Sequence, residues 1–165
     1  MSSEGDDSGN EGSEGDDSGD GDSEGGDSEE EPEPEPVTVD LPAERQAVIY
    51  SFRDWRAADA HLAAEQDGLE SCDSYTASRG GEDSVETSTS VDPVEVSTDL
   101  DAALGTTRRI SFEGEREHSV AVTLREGSHI VTISVPLPDA LSAEESEVAA
   151  EELEVEAADL LGSLD

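Results

Sequence analysis

The stretch "HSVAVTLREGSHIVTISV", residues 118–135, carries the clearest structural signal in the chain. Apolar residues occupy every second position on both sides of Glu126-Gly127, a pattern typical of strands with one buried and one solvated face. A glycine between two such runs favours a tight turn, so the stretch predicts a β-hairpin in an antiparallel sheet. The apolar residues that share a face are Val120, Val122 and Leu124, followed by Val131, Ile133 and Val135.

Other segments extend this sheet. The run "QAVIYSF", residues 46–52, is apolar and rich in β-branched and aromatic side chains, which predicts a strand buried on both faces. Residues 83–96, "DSVETSTSVDPVEV", alternate with period two, as do Ile110 and Phe112 with their neighbours. We expect three or four antiparallel strands after the first helix, with the alternative that the Thr/Ser-rich stretch 76–92 is a loop.

The first helix is predicted directly after the first strand. Ser51 and Asp54 form an S-x-x-D start signal, Asp54 is itself a candidate N-cap, and Gly68 is a plausible stop. We expect Trp55 in the core and Cys72 as a packed small hydrophobe just past the helix. The residues near one helical face are Trp55, Ala58, Leu62 and Leu69.

The second helix closes the chain, in residues 142–165. Ser142 and Glu145 form a capping box, and acidic residues cover one side of the helix. Its apolar face is expected to contain Ala149, Leu153, Ala157, Leu160 and Leu164.

These elements predict an α+β fold, a two-layer sandwich in which a mostly antiparallel sheet carries two helices on one face. The predicted organisation is a disordered acidic tail with a Pro-Glu spacer in residues 1–36, followed by a single α+β domain in residues 37–165. The tail contains no apolar core, and "SEGDDSG" in residues 3–9 recurs in residues 13–19. Such a composition cannot bury enough surface to offset the entropy of ordering.

The charge of the chain limits its partners. It has 45 acidic residues, 8 arginines, no lysine and a formal net charge of −37. This excludes nucleic-acid backbones and anionic lipid surfaces as partners, because both require basic side chains. A GC-rich genome and salt adaptation both account for such a composition. As written, the chain has no membrane-spanning apolar run and no signal peptide.

Few residues in the chain suggest chemistry, and we predict no catalytic, cofactor-binding or metal-binding residue. Residues 16–27 loosely match a calcium loop, but they lack the usual final Glu and flanking helices, so a low-complexity tail is preferred. His118 and His129 flank the hairpin as possible cross-strand neighbours, and together with His61 they are interpreted as solvated histidines.

The remaining candidates have structural interpretations. Acidic neighbours argue against Cys72 as a nucleophile. Arg108-Arg109 is the only basic pair, and an intramolecular ion pair is preferred over an anionic ligand. Gly80-Gly81 is interpreted as a loop, and no glycine-rich phosphate motif or G-x-S-x-G elbow occurs.

The segment "VIYSFRDWRAADAHLAAEQDGLESC", residues 48–72, resembles part of the extracytoplasmic sensor domain of PknH-type bacterial kinases and their lipoprotein relatives. The "V-x-L-R-x-G-x-x-I-V" run in residues 122–131 and the closing Ala/Leu helix are also similar. The family pairs its cysteines, whereas Cys72 is the only cysteine here. The resemblance implies an α+β sheet domain with a ligand cleft, and it assigns no functional residue.

These observations lead to one preferred functional hypothesis. We expect a non-catalytic, surface-tethered binding or sensor-like domain, monomeric and extracytoplasmic, on an acidic stalk whose lipid anchor would precede this chain. Its partner is an unidentified small ligand or protein. The alternative is a cytoplasmic protein of a salt-adapted organism that acts as a protein-interaction module.

Overall fold

The computed structural model describes residues 36–78 and 86–164. They belong to one compact unit and form six strands and two helices. The tail, residues 1–36, lies outside the described residues except for Pro36, so neither its predicted disorder nor the possible calcium loop in residues 16–27 is tested. In chain order the elements are β1 (Gln46–Ser51), α1 (Trp55–Ser71), β2 (Ser74–Ser78), β3 (Glu86–Val94), β4 (Ala102–Phe112), β5 (Glu115–Glu126), β6 (His129–Leu137) and α2 (Ala143–Gly162).

The strands form one antiparallel sheet in the order β1-β6-β5-β4-β3-β2. Strands β2 to β6 follow one another as a meander, and β1 pairs with β6 at the far edge. The predicted hairpin is confirmed, because Glu126 pairs with His129 and Gly127 turns the chain with a φ of 55°. This leaves two loop residues with glycine first, as a type II′ turn requires.

A second two-residue turn joins β4 to β5. Phe112 pairs with Glu115, and both Glu113 and Gly114 have positive φ angles, of 48° and 87°. Positive φ at both central residues defines a type I′ turn, which matches the twist of the flanking strands. In the sequence, the alternation around Ile110 and Phe112 continues to Glu113, so the pattern does not predict this turn.

The main core lies between α2 and one face of the sheet, which we call the α2 face. The predicted sharing of a face by the two valine-rich runs is confirmed. The fully buried sheet residues here include Val120, Val122, Leu124, Val131 and Val135, and they pack against Ala149, Ala150, Leu153, Ala157 and Leu161 of the helix. The helix face was predicted in part: Leu161 is buried, whereas Leu160 is only half-buried and Leu164 is 37% exposed.

The predicted capping box begins α2. The Ser142 hydroxyl accepts from the Glu145 N–H at 3.2 Å, and the Glu145 carboxylate accepts from the Ser142 N–H at 2.8 Å. These hydrogen bonds lower the pKa of Glu145, because they stabilise its charged form. Arg45 ties the segment before β1 to the same helix through Glu152 at 3.0 Å and Glu156 at 3.2 Å.

The opposite face of the sheet, the α1 face, carries the first helix. As predicted, Asp54 caps α1, with its carboxylate accepting from the Ala57 N–H at 3.0 Å. The helix runs three residues past Gly68. Only Ala58 and Leu62 are buried against Ile130 and its neighbours.

The α+β sandwich is confirmed, but the two helices lie on opposite faces of the sheet and not on one face, so the layers are three and not two. In β6, Ile130 contacts α1 whereas Val131 contacts α2, and successive strand residues point to opposite faces. The reason is the long-range pairing of β1, which lies beside β6 while β2 lies at the other edge. Helix α1 therefore crosses the sheet between its two edges, on the face that α2 leaves open.

Two further expectations about strands are corrected. All six residues of β1 are exposed, because an edge strand has a neighbour on one side only, so it is not buried on both faces. Five strands follow α1, and the stretch 76–92 contributes to β2 and β3. In the described part of the chain, neither helix is long and apolar enough to cross a membrane.

Candidate functional site

A groove runs across the α1 face where the helix leaves the sheet uncovered. Its floor is made of small side chains, because Thr106, Ala121 and Ser134 stand side by side on β4, β5 and β6. Residues 63–68 of α1 are exposed, and below this half of the helix lies open space. We call the whole depression the sheet groove.

The apolar half of the sheet groove lies under the C-terminal half of α1 and has a volume of about 380 Å³. Val48 and Tyr50 of β1 and Tyr75 of β2 line it while remaining 45%, 42% and 50% exposed. Large apolar side chains that remain half-exposed around a concave surface are typical of ligand sites. The other apolar residues of this half are Leu69, Val91 and Leu104.

The polar half continues from the apolar half over β4, β5 and β6, with a volume of about 510 Å³. It adds polar, charged and apolar residues to the lining, namely Gln46, Ile110, Arg116, Glu117, His118, Ser119, Ser134, Pro136 and Leu137. The two halves share Thr106, Arg108, Ala121 and Thr132, so they form one continuous groove. An elongated molecule with one apolar and one polar end matches this lining.

Arg108 lies where the two halves meet. It is exposed, and among the described residues no carboxylate lies within the 4.0 Å ion-pair distance of its side chain. The preferred interpretation of Arg108-Arg109 as an intramolecular ion pair is therefore wrong for the described part of the chain. Because successive strand residues alternate in direction, Arg108 faces the sheet groove and Arg109 faces the α2 side.

Cys72 lies on the rim of the sheet groove. Its side chain is exposed, and the thiol donates a hydrogen bond to the Ser74 carbonyl oxygen at 3.3 Å. The expectation that Cys72 is a packed small hydrophobe was wrong, because α1 ends at Ser71 and the chain turns into β2 away from the core.

The histidines do not converge. His118 pairs with Leu137 and His129 with Glu126, at opposite ends of the β5–β6 ladder, so the alternative of a cross-strand contact between them is not found. His61 packs between Tyr50 and Phe52, with ring centroids at 5.4 and 5.2 Å. Within residues 36–78 and 86–164, no three His, Cys, Asp or Glu side chains are grouped to hold a metal ion.

Trp55 is not a core residue. It is 51% exposed, and the Arg56 guanidinium lies 4.6 Å above its ring. Contact between α1 and the sheet starts one turn later, at Ala58, which leaves the first helical residue in solvent. The interpretation of Gly80-Gly81 as a loop falls outside the described residues.

The groove residues were not found from the sequence. The sequence pattern predicts that Val48 and Tyr50 lie in a buried strand, and it gives no signal for Tyr75. Their one sequence signal is the spacing of two between Val48 and Tyr50, which puts both on the same face of a strand. No known protein family, curated protein or solved structure matches this chain.

Proposed function

We propose that this chain is a non-catalytic binding domain whose ligand occupies the sheet groove. The observation that carries the proposal is the half-exposed set of Val48, Tyr50 and Tyr75 around the apolar half. Leaving such side chains in water is costly, and covering their apolar area is worth about 25 cal/mol per Å². The groove volumes also fall in the range of about 300–1,000 Å³ that is common for ligand sites.

The ligand class follows from the charge at the junction of the two halves. Arg108 offers a guanidinium with no carboxylate partner among the described residues, and guanidinium groups bind carboxylates in two-point contacts. Large apolar side chains line the groove on one side of it, and a mixture of charged, polar and apolar residues lines the groove on the other. We therefore propose an amphipathic ligand with an aliphatic part and an anionic head group.

The proposal is non-catalytic because of what lines the groove. Cys72 is the one nucleophile of note, and its thiol bonds to a backbone carbonyl instead of a histidine or another base. A cysteine nucleophile needs a base or a nearby positive charge to form the thiolate. The one charged groove residue on α1 is Glu65, which has the wrong sign.

The test uses decanoate and decanol as probes, with binding measured by calorimetry. Ala121→Phe fills the floor of the groove and should abolish binding of both probes, while Ala60→Phe on the exposed side of α1 should not change it. Arg108→Ala should reduce the affinity for decanoate about tenfold, which is the equivalent of one charge-assisted hydrogen bond. The affinity for decanol should stay unchanged.

The thiol of Cys72 provides a second readout, since it is the single cysteine and lies on the rim. Decanoate should slow its alkylation by iodoacetamide in the native protein and not in Ala121→Phe. If the native protein bound neither probe, or if Ala121→Phe bound decanoate normally, the sheet groove would not be the site.

We propose further that the domain is held outside the membrane on its acidic stalk. The composition of residues 1–36 and the resemblance to lipoprotein sensor domains support this. The alternative is a cytoplasmic interaction module of a salt-adapted organism. Intact mass after separation of membrane and soluble fractions distinguishes them: a lipidated membrane species is expected, and an unmodified soluble one would contradict the tether.

A further inference from the structure

The arginines of this acidic chain are unevenly paired. Seven of the eight lie in the described residues, and four of these have partners. Among the described residues, no carboxylate lies within 4.0 Å of the other three, which are neighbours on β4 and β5. The paired ones are Arg45, Arg53 and Arg125, each with a carboxylate, and Arg56, which stacks on Trp55. The three others are Arg108, Arg109 and Arg116.

Arg109 and Arg116 line a second depression, on the α2 side of the sheet and beyond the core beneath α2. It has a volume of about 570 Å³ and is lined by two arginines, four serines, two threonines and one tyrosine. We call it the hydroxyl groove. Among the residues that the structure describes, none of those lining this groove is acidic.

The strand register brings the donors of the hydroxyl groove together. Ser90 pairs with Arg109, and Ser111 pairs with both Ser88 and Arg116. Directly paired residues have Cβ atoms about 5 Å apart, and diagonal ones such as Arg109 and Arg116 about 7 Å apart. Two long guanidinium side chains at this spacing can reach a single anionic group between them.

The unpaired hydroxyl of Ser90 is an independent indication that the groove binds a ligand. Ser90 lines the groove, and its hydroxyl oxygen is buried and has no hydrogen-bond partner in the described part of the chain. Buried hydroxyls are almost always hydrogen-bonded in native proteins. If the side chain turned toward the groove, a ligand oxygen could accept a hydrogen bond from this hydroxyl.

We propose that the hydroxyl groove binds a phosphomonoester. A phosphoryl group carries enough oxygens to accept from both guanidiniums and from a serine hydroxyl at once. The groove is larger than one phosphoryl group, and its serine hydroxyls with that of Thr76 match a polar, sugar-like remainder. Asp73, which accepts from the Ser74 hydroxyl at 3.1 Å, and Asp92, two residues along β3 from Ser90, lie outside the lining.

The hydroxyl groove shares Arg116 with the lining of the polar half of the sheet groove and Tyr75 with that of the apolar half, whereas Arg109 and Ser90 line the hydroxyl groove alone of the two. Arg109→Ala by itself should therefore weaken glucose 6-phosphate binding and leave decanoate binding unchanged. Ala121→Phe, at a residue outside the hydroxyl groove, should do the opposite.

The experiment is a calorimetric titration of the full chain with glucose 6-phosphate, inorganic phosphate and glucose, at about 0.15 M salt so that the protein's own charge is screened. Glucose 6-phosphate should bind more tightly than inorganic phosphate, and glucose should not bind. The double variant Arg109→Ala with Arg116→Ala should reduce the affinity for glucose 6-phosphate at least about tenfold, as expected for lost charge-assisted hydrogen bonds.

The matched control is Arg53→Ala with Arg56→Ala, which removes the same charge at exposed positions on the other side of the molecule. It should leave the affinity within about twofold, and Ser90→Ala should reduce it. Equal weakening by both double variants would show a general charge effect and overturn the site. So would equal affinity for inorganic phosphate and glucose 6-phosphate, which would leave the sugar part without a role.

Discussion

At the scale of single residues, Gly105 shows how closely the core is packed. It is buried in β4 opposite Val94. A Cβ atom at this position would lie 2.5 Å from the Val96 side chain and 2.6 Å from the Val94 carbonyl oxygen. Glycine is needed here because Val96 packs directly against the strand and leaves no room for a Cβ atom. The backbone of Gly105 does not have a positive φ angle.

Gly105→Ala should lower the free energy of unfolding by about 1–3 kcal/mol, because backbone and a β-branched side chain must move to admit one methyl group. Urea denaturation measures it. The matched control is Gly68→Ala in α1, where a Cβ would meet nothing within 4 Å. That change should stabilise by about 0.5–1 kcal/mol, since alanine is the better helix former. The same sign for both variants would contradict this explanation.

At the scale of elements, the attachment of α1 to the sheet depends on one charged residue, Arg125. Arg125 is 8% exposed and reaches Asp59 of α1 and Asp101 before β4, both at 3.2 Å. Asp101 also accepts from the Gly127 N–H at 2.8 Å. With so few buried apolar residues in α1, these ion pairs join the helix to the sheet and so position the roof of the sheet groove.

Arg125→Met should therefore loosen α1 more than α2. We expect a loss of about 1–2 kcal/mol, below the usual cost of breaking a buried ion pair, because the two carboxylates are half-exposed and rehydrate. Amide hydrogen exchange measures this loss of stability separately for each helix and strand. Arg53→Met, at a pair whose arginine is 86% exposed, should change little. Uniform loss of protection in both helices would argue against a local role.

At the scale of the whole molecule, self-repulsion dominates the electrostatics. Residues 1–36 hold 16 of the 45 acidic residues, which leaves 29 acidic and 8 basic residues and a net charge of −21 for residues 37–165. The ion pairs described above neutralise only a few of these charges. Salt therefore acts on folding mainly by screening like charges.

The melting temperature should rise as sodium chloride is increased from 0.01 to 1 M, since the screening length falls from about 30 to about 3 Å. A gain of about 1 kcal/mol corresponds to roughly 4 °C in a domain of this size. Circular dichroism follows the transition, with sucrose as the uncharged control. A protein unfolded at low salt would favour the salt-adapted alternative, and a melting temperature independent of salt would contradict the prediction.

Much of the local structure could be predicted because it is encoded in neighbouring residues. The period of two around Gly127 specified the central hairpin, and Ser142 with Glu145 specified the start of α2. Asp54 likewise specified the start of α1. Each of these signals lies within a few residues and requires no knowledge of the rest of the chain.

The sheet groove and the hydroxyl groove depend instead on contacts between distant segments. Val48 and Tyr50 have the composition of a buried strand, yet pairing with β6 puts them at an open edge. Arg109 meets Ser90 and lies near Arg116 only through the register of three strands. The sequence by itself determined the strands, turns and helix starts, because their physics is local. Only the tertiary structure decided which face each helix covers and which side chains stay exposed, because strand order is set by packing between segments far apart in the chain.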